Sequence, residues 1–246
     1  MNRGYADIHN HILPAVDDGA KTMEEAMELL RLEYEDGVRY VIFTPHYMPR
    51  SRMEKNQEKA EQIKEVYTKV KDECKHLFPD MKCYLGNELY YKSNILNELD
   101  EGRANTLGGS DYVLTEFSTS ISFVELKKAV QQYLLKGYQP ILAHVERYQC
   151  LYKDFDRMEE LKNMGSLMQM NTENFLEGLF SSNKKFCTKA VAEGYIDFLG
   201  TDCHDLKIRK PAMKKAVNYL KKKVDESILE ALLYTNPRKL LDEMKE

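Results

Sequence analysis

The sequence predicts an α/β fold in which parallel strands alternate with helices, on three observations. Short apolar runs alternate with amphipathic, charged runs along the 246 residues, as in βα units. We find no long linker, low-complexity stretch or repeat, so one domain over residues 1–246 is expected. Seven candidate strands are separated by helical patterns or long connections, at residues 5–9, 38–44, 82–88, 111–116, 139–143, 167–170 and 195–200. This order is typical of a barrel or a doubly wound sheet, and both bind ligands at the carboxyl ends of their strands.

The first helix is predicted by its end signals. Thr22 and Glu25 have the spacing of a capping box, which satisfies free backbone N–H groups at a helix start. Gly37 is a natural C-terminal stop. The helix should bury one apolar face, made of Met23, Met27, Leu30 and Tyr34.

Two further helices are predicted before and after the middle strands. Residues 53–77 form a long pattern of mixed charge that ends before Pro79. Ser122 and Glu125 repeat the capping-box spacing, and the helix that follows should end near Gly137.

Composition excludes several classes of protein. The formal net charge of −4 argues against a nucleic-acid binder held by bulk positive charge. No apolar run approaches the roughly 18 residues that a membrane helix needs, and the N-terminus lacks an apolar signal core, so no direct membrane insertion is expected. The five cysteines form no CxxC pair and leave one unpaired in any disulfide scheme, which favours a reducing, cytoplasmic location.

Polar side chains stand at the end of every predicted strand. Five of the six histidines lie there, and only His76 does not. A single histidine or glutamate at a strand end is more often structural than functional, but this coincidence at one rim is hard to explain without a site. In chain order the segments are Asp7-Ile8-His9-Asn10-His11, Thr44-Pro45-His46, Gly86-Asn87-Glu88, Thr115-Glu116, Ala143-His144-Val145-Glu146-Arg147, Gln169-Met170-Asn171 and Gly200-Thr201-Asp202-Cys203-His204.

The spacing of these groups favours metal binding. Residues i and i+2 of a strand point to the same face, so His9 and His11 can approach one cation. Asp202 and His204 repeat this spacing. Imidazoles and carboxylates without thiolates suit Mn, Fe or Zn in a hydrolytic site. Eight or nine ligands exceed the needs of one ion, so two or three ions are expected, with Glu88 able to bridge two.

Each of three other sequence features allows a structural and a functional interpretation. Asp17-Asp18-Gly19 is either a plain turn or the source of another carboxylate ligand. Arg147 and Arg209 are either surface residues or phosphate-binding forks. Cys203 and Arg209 satisfy C-x5-R, the pattern of cysteine-dependent tyrosine phosphatases, but the intervening residues contain no glycine for the tight phosphate loop that this chemistry needs.

The segment from Asp7 to Ala20 resembles the opening of the polymerase-and-histidinol-phosphatase (PHP) superfamily, and most closely its bacterial tyrosine-phosphatase branch of the CpsB/CapC type. The later strand-end motifs follow in that branch's order, up to about residue 211. The resemblance implies a distorted (β/α)7 TIM-like barrel, the PHP fold, with two or three metal ions. Manganese is the usual metal, with iron, zinc or magnesium as alternatives.

The resemblance also implies residue roles. Three ligand sets are expected: His9, His11, Glu88 and Asp202; then Glu88, Glu116 and His144; then Asp18, His46 and His204, with Asp17 as the rival of Asp18. Arg147 and Arg209 match the family's phosphate-binding arginines. The general acid is left open between His46, Asp202 and a metal-bound water.

In that branch the usual substrate is a phosphotyrosine protein, above all a bacterial tyrosine kinase that controls capsule and exopolysaccharide synthesis. The expected activity is therefore that of a metal-dependent protein-tyrosine phosphatase. Histidinol-phosphate phosphatase, another phosphoesterase on the same fold and a non-catalytic binding module are the alternatives. The chain departs from the branch at Cys203, at residues 205–207 and at residues 169–174, which affects substrate detail more than metal binding. Residues 207–223 carry eight Lys or Arg and no acid, which indicates a solvated helix face or a surface for an acidic partner.

Overall fold

The computed structural model describes residues 3–49, 52–178 and 180–245. Its strands are β1 (Tyr5–Asp7), β2 (Val38–Phe43), β3 (His46–Tyr47), β4 (Lys82–Leu85), β5 (Glu88–Tyr90), β6 (Tyr112–Glu116), β7 (Gln139–Leu142), β8 (Leu167–Asn171) and β9 (Phe198–Gly200). Its helices are α1 (Met23–Glu35), α2 (Met53–Leu77), α3 (Ile95–Asp100), α4 (Phe123–Leu135), α5 (Phe155–Met164), α6 (Ser182–Ala192), α7 (Met213–Leu220), α8 (Glu226–Glu230) and α9 (Asn236–Glu243). No helix among these residues is long and apolar enough to cross a membrane.

The strands form one curled, all-parallel wall, which confirms the α/β barrel class. β1, β2 and β4 pair in that order, and β3, β5, β6, β7, β8 and β9 pair in that order. The two ladders are continuous along the chain because β2 leads into β3 and β4 leads into β5. All seven predicted strands are therefore present, but the second and third are each broken in two. The break at Pro45 follows from its missing N–H, and beside it the Gly86 N–H donates to the Phe43 carbonyl at 2.8 Å.

The first and last strands meet at their carboxyl ends. The His11 N–H donates to the Cys203 carbonyl at 2.9 Å, and the Asp202 N–H donates to the His9 carbonyl at 2.7 Å. These bonds lie just beyond β1 and β9 and close the barrel there. The closure places the two histidine-bearing segments predicted from the spacing side by side.

Helix α1 has the predicted ends and the predicted face. The Thr22 hydroxyl accepts the Glu25 N–H, which confirms the cap. Leu30 is buried, and the other three members of the predicted face are partly buried against the core. The structure adds the buried residues Ala26, Leu29 and Glu33, which the prediction did not include. The Glu33 carboxyl lies beside Asp7 and Cys203.

The other two predicted helices are confirmed. α2 spans residues 53–77. α4 begins at a reciprocal capping box between Ser122 and Glu125, and Gly137 follows its end with φ of +83°. A residue with a Cβ is strained at that φ, so glycine suits the stop. The basic residues of 207–223 lie mainly on the exposed face of α7 and its flanks. This exposure is expected of both interpretations, a solvated face and a surface for an acidic partner.

Candidate metal centre

Four buried groups from three separate segments point at one position. His9 Nε2 lies 3.2 Å from Glu88 Oε1 and 3.5 Å from Asp202 Oδ1. His11 Nε2 lies 3.3 Å from Glu88 Oε2, 3.3 Å from Asp202 Oδ1 and 3.4 Å from His9 Nε2. Ligand atoms bound about 2.1 Å from one ion stand about 3–3.5 Å from each other. These donors therefore have the mutual spacing of a coordination sphere.

Glu88 connects this group to a second one. Its Oε1 lies 2.8 Å from His144 Nε2, and that nitrogen lies 3.4 Å from Glu116 Oε2. Its Oε2 lies 2.9 Å from His46 Nδ1. The central, buried position of Glu88 suits the bridging role that the sequence analysis gave it. His46 lies closer to this second group than the resemblance implied.

A third group lies at the outer edge of the site. Asp18 Oδ1 stands 3.5 Å from both His46 Nε2 and His204 Nε2. His204 Nε2 is buried and makes no hydrogen bond with any residue that the structure describes. Such an unpaired atom is costly unless a ligand occupies it. The donor set therefore fits a further ion in this place.

Asp17 has a different position from Asp18. Its Oδ2 lies 2.8 Å from His11 Nδ1 and accepts the His46 N–H at 3.0 Å. The turn that brings it there needs Gly19, because a Cβ on that residue would stand 1.9 Å from the His11 carbonyl oxygen. A carboxylate on the outer nitrogen of a metal-binding histidine orients the ring and raises its basicity. The geometry thus favours Asp18 as the ligand and Asp17 as the residue that orients His11.

Two amide side chains, Gln169 and Asn171, form a hydrogen-bonded relay between the buried histidines and Asp202. The sequence analysis did not assign this role to them. Gln169 Oε1 accepts the His144 N–H at 2.8 Å and lies 3.0 Å from His9 Nδ1. Gln169 Nε2 donates to Asn171 Oδ1 at 2.9 Å, and Asn171 Nδ2 donates to Asp202 Oδ2 at 2.6 Å. The relay therefore fixes the tautomer of His9 with Nε2 toward the centre. Its signal in the sequence is the i, i+2 spacing at the end of the sixth predicted strand, the same spacing that marks His9 and His11.

The two predicted arginines converge on one oxygen of Asp202. Arg147 Nη2 lies 2.8 Å and Arg209 Nη2 lies 2.6 Å from Asp202 Oδ2. Asp202 thus turns Oδ1 toward the histidines and Oδ2 toward the guanidinium groups. His144 and Asp202 also have φ of +34° and +52°, a left-handed backbone that non-glycine residues adopt at a cost. The arrangement places two guanidinium groups at the edge of the candidate metal centre.

The protonation states of the buried carboxylates follow from their neighbours. Burial alone would raise the pKa of Asp202, but the charges of His9 and His11 hold it well below its usual range. Burial likewise opposes ionisation of Glu88, and the surrounding histidines hold its pKa well below normal. Both groups are therefore anionic near neutral pH, as metal ligands must be. The low pKa also argues against Asp202 as the general acid that the sequence analysis left open.

Metal affinity is expected to rise with pH. Burial would lower the pKa of His11, but Asp17, Asp202 and Glu88 raise it well above its usual value. Below that raised pKa, a metal must displace a proton from His11 Nε2 in order to bind. Each displaced proton makes affinity increase about tenfold per pH unit. Calorimetric titration of the metal-free protein with Mn²⁺ at pH 6, 7 and 8 measures the affinity at each pH. Repeating it in buffers of different ionisation enthalpy measures the number of protons released. Affinity that is independent of pH, with no proton release, would contradict this expectation.

Cys203 does not face the site. Its side chain is fully buried, and Sγ lies 3.9 Å from Glu33 Oε1. Burial and the carboxyl groups of Glu33 and Asp7 raise the pKa of the thiol well above normal. The C-x5-R interpretation therefore fails, because that chemistry needs a thiolate open to the phosphate. The signal for the buried Asp7–Glu33–Cys203 group was an acid among the apolar positions of α1.

Replacing this thiol is expected to leave catalysis nearly intact. Cys203→Ala should keep kcat for an aryl phosphate within about threefold of the parent protein, because only a small buried group is removed. Steady-state kinetics of Cys203→Ala, and separately of parent protein treated with iodoacetamide, measure kcat in the two cases. Loss of activity in both arms, with an unchanged melting temperature, would restore the thiolate mechanism.

Comparisons with known proteins agree with this architecture. The sequence profile of the family described as "Capsular polysaccharide synthesis, CpsB/CapC" matches residues 5–242. Tyrosine-protein phosphatase CpsB of Streptococcus pneumoniae is 33% identical over 240 residues, 96% of this chain and 97% of that protein. Tyrosine-protein phosphatase YwqE of Bacillus subtilis (strain 168) is 30% identical over 226 residues, 88% of this chain and 84% of that protein.

Solved structures show the same fold. A structure described among those of YwqE from B. subtilis and CpsB from S. pneumoniae, "unique metal-dependent tyrosine phosphatases", superposes with a TM-score of 0.86 at 24% identity, covering 98% of this chain and 95% of that one. A phosphotriesterase homology protein from Escherichia coli, with phosphate in its active site, superposes with a TM-score of 0.55 at 14% identity, covering 97% of this chain and 99% of that one. The family match over nearly the whole chain is the decisive finding. This chain belongs to the CpsB/CapC family of capsular polysaccharide synthesis proteins.

Proposed function

We propose that this protein is a metal-dependent protein-tyrosine phosphatase. The observation that carries the proposal is the convergence of two arginines and a histidine–carboxylate cluster on the single side chain of Asp202. A phosphate monoester needs both partners, since cations must neutralise its oxygens while water attacks phosphorus. Relatives at 30–33% identity carry the name tyrosine-protein phosphatase, which supports the same reaction.

The proposed ligands fall into the three groups described above. His9, His11, Glu88 and Asp202 would hold one ion; Glu88, Glu116 and His144 a second; and Asp18, His46 and His204 a third. Manganese fits these nitrogen and oxygen donors, as do iron, zinc and magnesium to differing degrees. When bound, such ions lower the pKa of coordinated water and neutralise charge on the phosphoryl oxygens.

The chain's own side chains bind and orient the substrate. Arg147 and Arg209 would each present N–H groups to the phosphoryl oxygens while keeping one contact to Asp202. Because Asp202 fixes both guanidinium groups before substrate arrives, little reorganisation is needed during the reaction. A phenolate leaving group has a pKa of about 10, so it needs less protonation than a serine alkoxide. These features favour phosphotyrosine.

The biological setting is a finer proposal. The family description and the relatives' names support a phosphotyrosine substrate in capsular or exopolysaccharide synthesis, and we propose a bacterial tyrosine kinase as that substrate. The five cysteines all carry free thiols, which supports a reducing, cytoplasmic location. We propose that residues 1–246 act as one phosphatase domain.

The test is turnover by metal-stripped protein after Mn²⁺ is added back. A phosphotyrosine peptide and histidinol phosphate are compared side by side at equal concentrations. Mn²⁺-dependent hydrolysis of the peptide, with a much lower kcat/KM for histidinol phosphate, supports the proposal. Preference for histidinol phosphate keeps the metal site but overturns the substrate class.

The arginines provide a variant test with a matched control. Arg147→Gln and Arg209→Gln should each lower kcat/KM for an aryl phosphate about 10²-fold, since each removes a charged donor to the phosphoryl group. Arg31→Gln and Arg238→Gln are the controls, because those arginines form surface pairs with nearby glutamate or aspartate residues on their own helices. Equal losses of kcat/KM in the site variants and in the surface variants would contradict a phosphate-binding role for Arg147 and Arg209.

A further inference from the structure

Cys74 and Cys83 lie side by side in the core. Cys74 is in the last turn of α2 and Cys83 is in β4, and both side chains are buried. The Cys83 thiol donates a hydrogen bond to Cys74 Sγ, with 3.3 Å between the two sulfurs. Bonded sulfurs stand about 2.05 Å apart, so a small movement of the two side chains is enough to join them.

Local contacts hold the backbone on both sides of this pair. The Phe78 N–H donates to the Cys74 carbonyl at 2.7 Å, and the Met81 N–H donates to the Phe78 carbonyl at 2.9 Å, which turns the chain from α2 into β4. The Tyr67 hydroxyl donates to the Cys83 carbonyl at 3.0 Å and connects the strand to the helix. The two cysteines are only 9 positions apart in the chain. A bond between them therefore requires little further ordering of the backbone.

The hydrogen bond makes the two thiols chemically different. It lowers the pKa of Cys74, whereas the same bond and burial together raise the pKa of Cys83. Burial raises the pKa of the other three thiols, those of Cys150, Cys187 and Cys203. Oxidants react with the thiolate form of cysteine. Of the five cysteines, Cys74 is thus the one whose environment favours the reactive form.

A cavity brings small molecules to the pair from a side away from the candidate metal centre. It has a volume of about 800 Å³, and its lining includes Cys83, Tyr67, Lys71 and residues of the 102–109 loop. Cys83 lies near the amino end of β4, whereas Glu88 follows the carboxyl end of that strand. A water-sized oxidant can therefore approach the pair without passing the proposed metal ligands.

We propose that Cys74 and Cys83 are a site of reversible oxidation, at which a peroxide forms a disulfide that joins α2 to β4. In the first step the Cys74 thiolate attacks one oxygen of hydrogen peroxide, the O–O bond breaks, and hydroxide leaves, which gives a sulfenic acid. In the second step the Cys83 sulfur attacks Cys74 Sγ, the S–S bond forms, and the sulfenic oxygen leaves as water with the Cys83 proton. The two thiols lose two electrons, and the peroxide is reduced to two molecules of water.

A reversible bond of this kind is compatible with a reducing compartment. Disulfides in such compartments are mostly transient, since cellular thiols reduce them again. This inference does not depend on the proposed phosphatase activity, because it uses neither the metal ligands nor the two arginines.

The test maps disulfide bonds after mild treatment of the Mn²⁺-loaded protein with hydrogen peroxide. Remaining thiols are blocked with N-ethylmaleimide, and tryptic peptides are analysed by mass spectrometry. Trypsin cleaves after Lys75 and Lys82, so Cys74 and Cys83 fall on separate peptides and a bond between them is seen directly. The five free thiols should fall to three, with Cys74 bonded to Cys83, and dithiothreitol should restore all five.

Serine variants provide the controls. Cys74→Ser and Cys83→Ser should form no disulfide within the chain, whereas Cys150→Ser, at the cysteine that is only half-buried, should keep the bond between Cys74 and Cys83. In the parent protein the pair should be oxidised on the order of tenfold faster than Cys150. The proposal is overturned if Cys150 is oxidised first, if other cysteines are bonded, or if all five thiols persist while a cysteine peptide in the same solution is oxidised. The bond in the parent protein decides the outcome even where a variant fails to fold.

Discussion

Removing metal from the purified protein is expected to reduce its phosphatase kcat by at least about 10³-fold. Metal ions contribute several kcal/mol to charge stabilisation in a phosphoryl transition state, and the residues that the structure describes offer no buried alternative nucleophile at the site. The thiol of Cys203 is turned away from the site, and the described residues around Asp202 are proposed metal ligands, amides and arginines. Chelation, dialysis and assay with p-nitrophenyl phosphate measure this loss.

The fold is expected to survive metal removal, which makes the experiment interpretable. Without metal, His11 and His144, whose pKa values are raised by the neighbouring carboxylates, and the two arginines on Asp202 balance the buried negative charge. Far-ultraviolet circular dichroism should therefore stay the same while activity disappears. Mn²⁺, Fe²⁺, Zn²⁺ and Mg²⁺ are then added separately to rank the metals. Full activity in the stripped protein, with metal content verified as zero, would rule out metal-dependent hydrolysis.

Glu88→Gln is the substitution with the largest expected effect. Glu88 contacts four histidines, and among the described residues it is the carboxylate that joins the proposed first and second ligand groups. The amide keeps the shape but removes the charge that a bridging ligand supplies. We expect kcat to fall on the order of 10³-fold and bound manganese to fall by at least one ion per chain. Steady-state kinetics and elemental analysis measure the two quantities.

Glu33→Gln is the matched control. Glu33 is as buried as Glu88, but burial and the charge of Asp7 raise its pKa well above normal, so it is held neutral. An amide in its place removes no charge, and we expect kcat and metal content within about threefold of the parent protein. Equal losses in the two variants would show that packing, rather than ligand charge, explains the effect at Glu88.

The sequence was informative where local chemistry and topology coincide. The spacing of His9 and His11 on an extended strand already placed both imidazoles on one face. The capping signals at Thr22 and Ser122 found the starts of α1 and α4, because such caps depend only on neighbours in the chain. The carboxyl ends of parallel strands share one edge, so the strand-end motifs were expected to meet before any coordinate was known.

Other features depended on contacts between distant segments. The breaks in the second and third strands, the different positions of Asp17 and Asp18 and the relay through Gln169 all depend on contacts across the barrel. The burial of Glu33 on α1 is another such feature, since its carboxyl lies beside Cys203, which follows the last strand. No periodicity along one helix contains that information.

By itself, the sequence determined the fold class and the set of candidate ligands, because these follow from strand periodicity and from which residue types end each strand. Only the tertiary structure decided how these side chains are grouped. Asp202 faces histidines with one oxygen and arginines with the other. That division depends on barrel closure between the first and last strands, where two backbone hydrogen bonds bring residues almost 200 positions apart into contact.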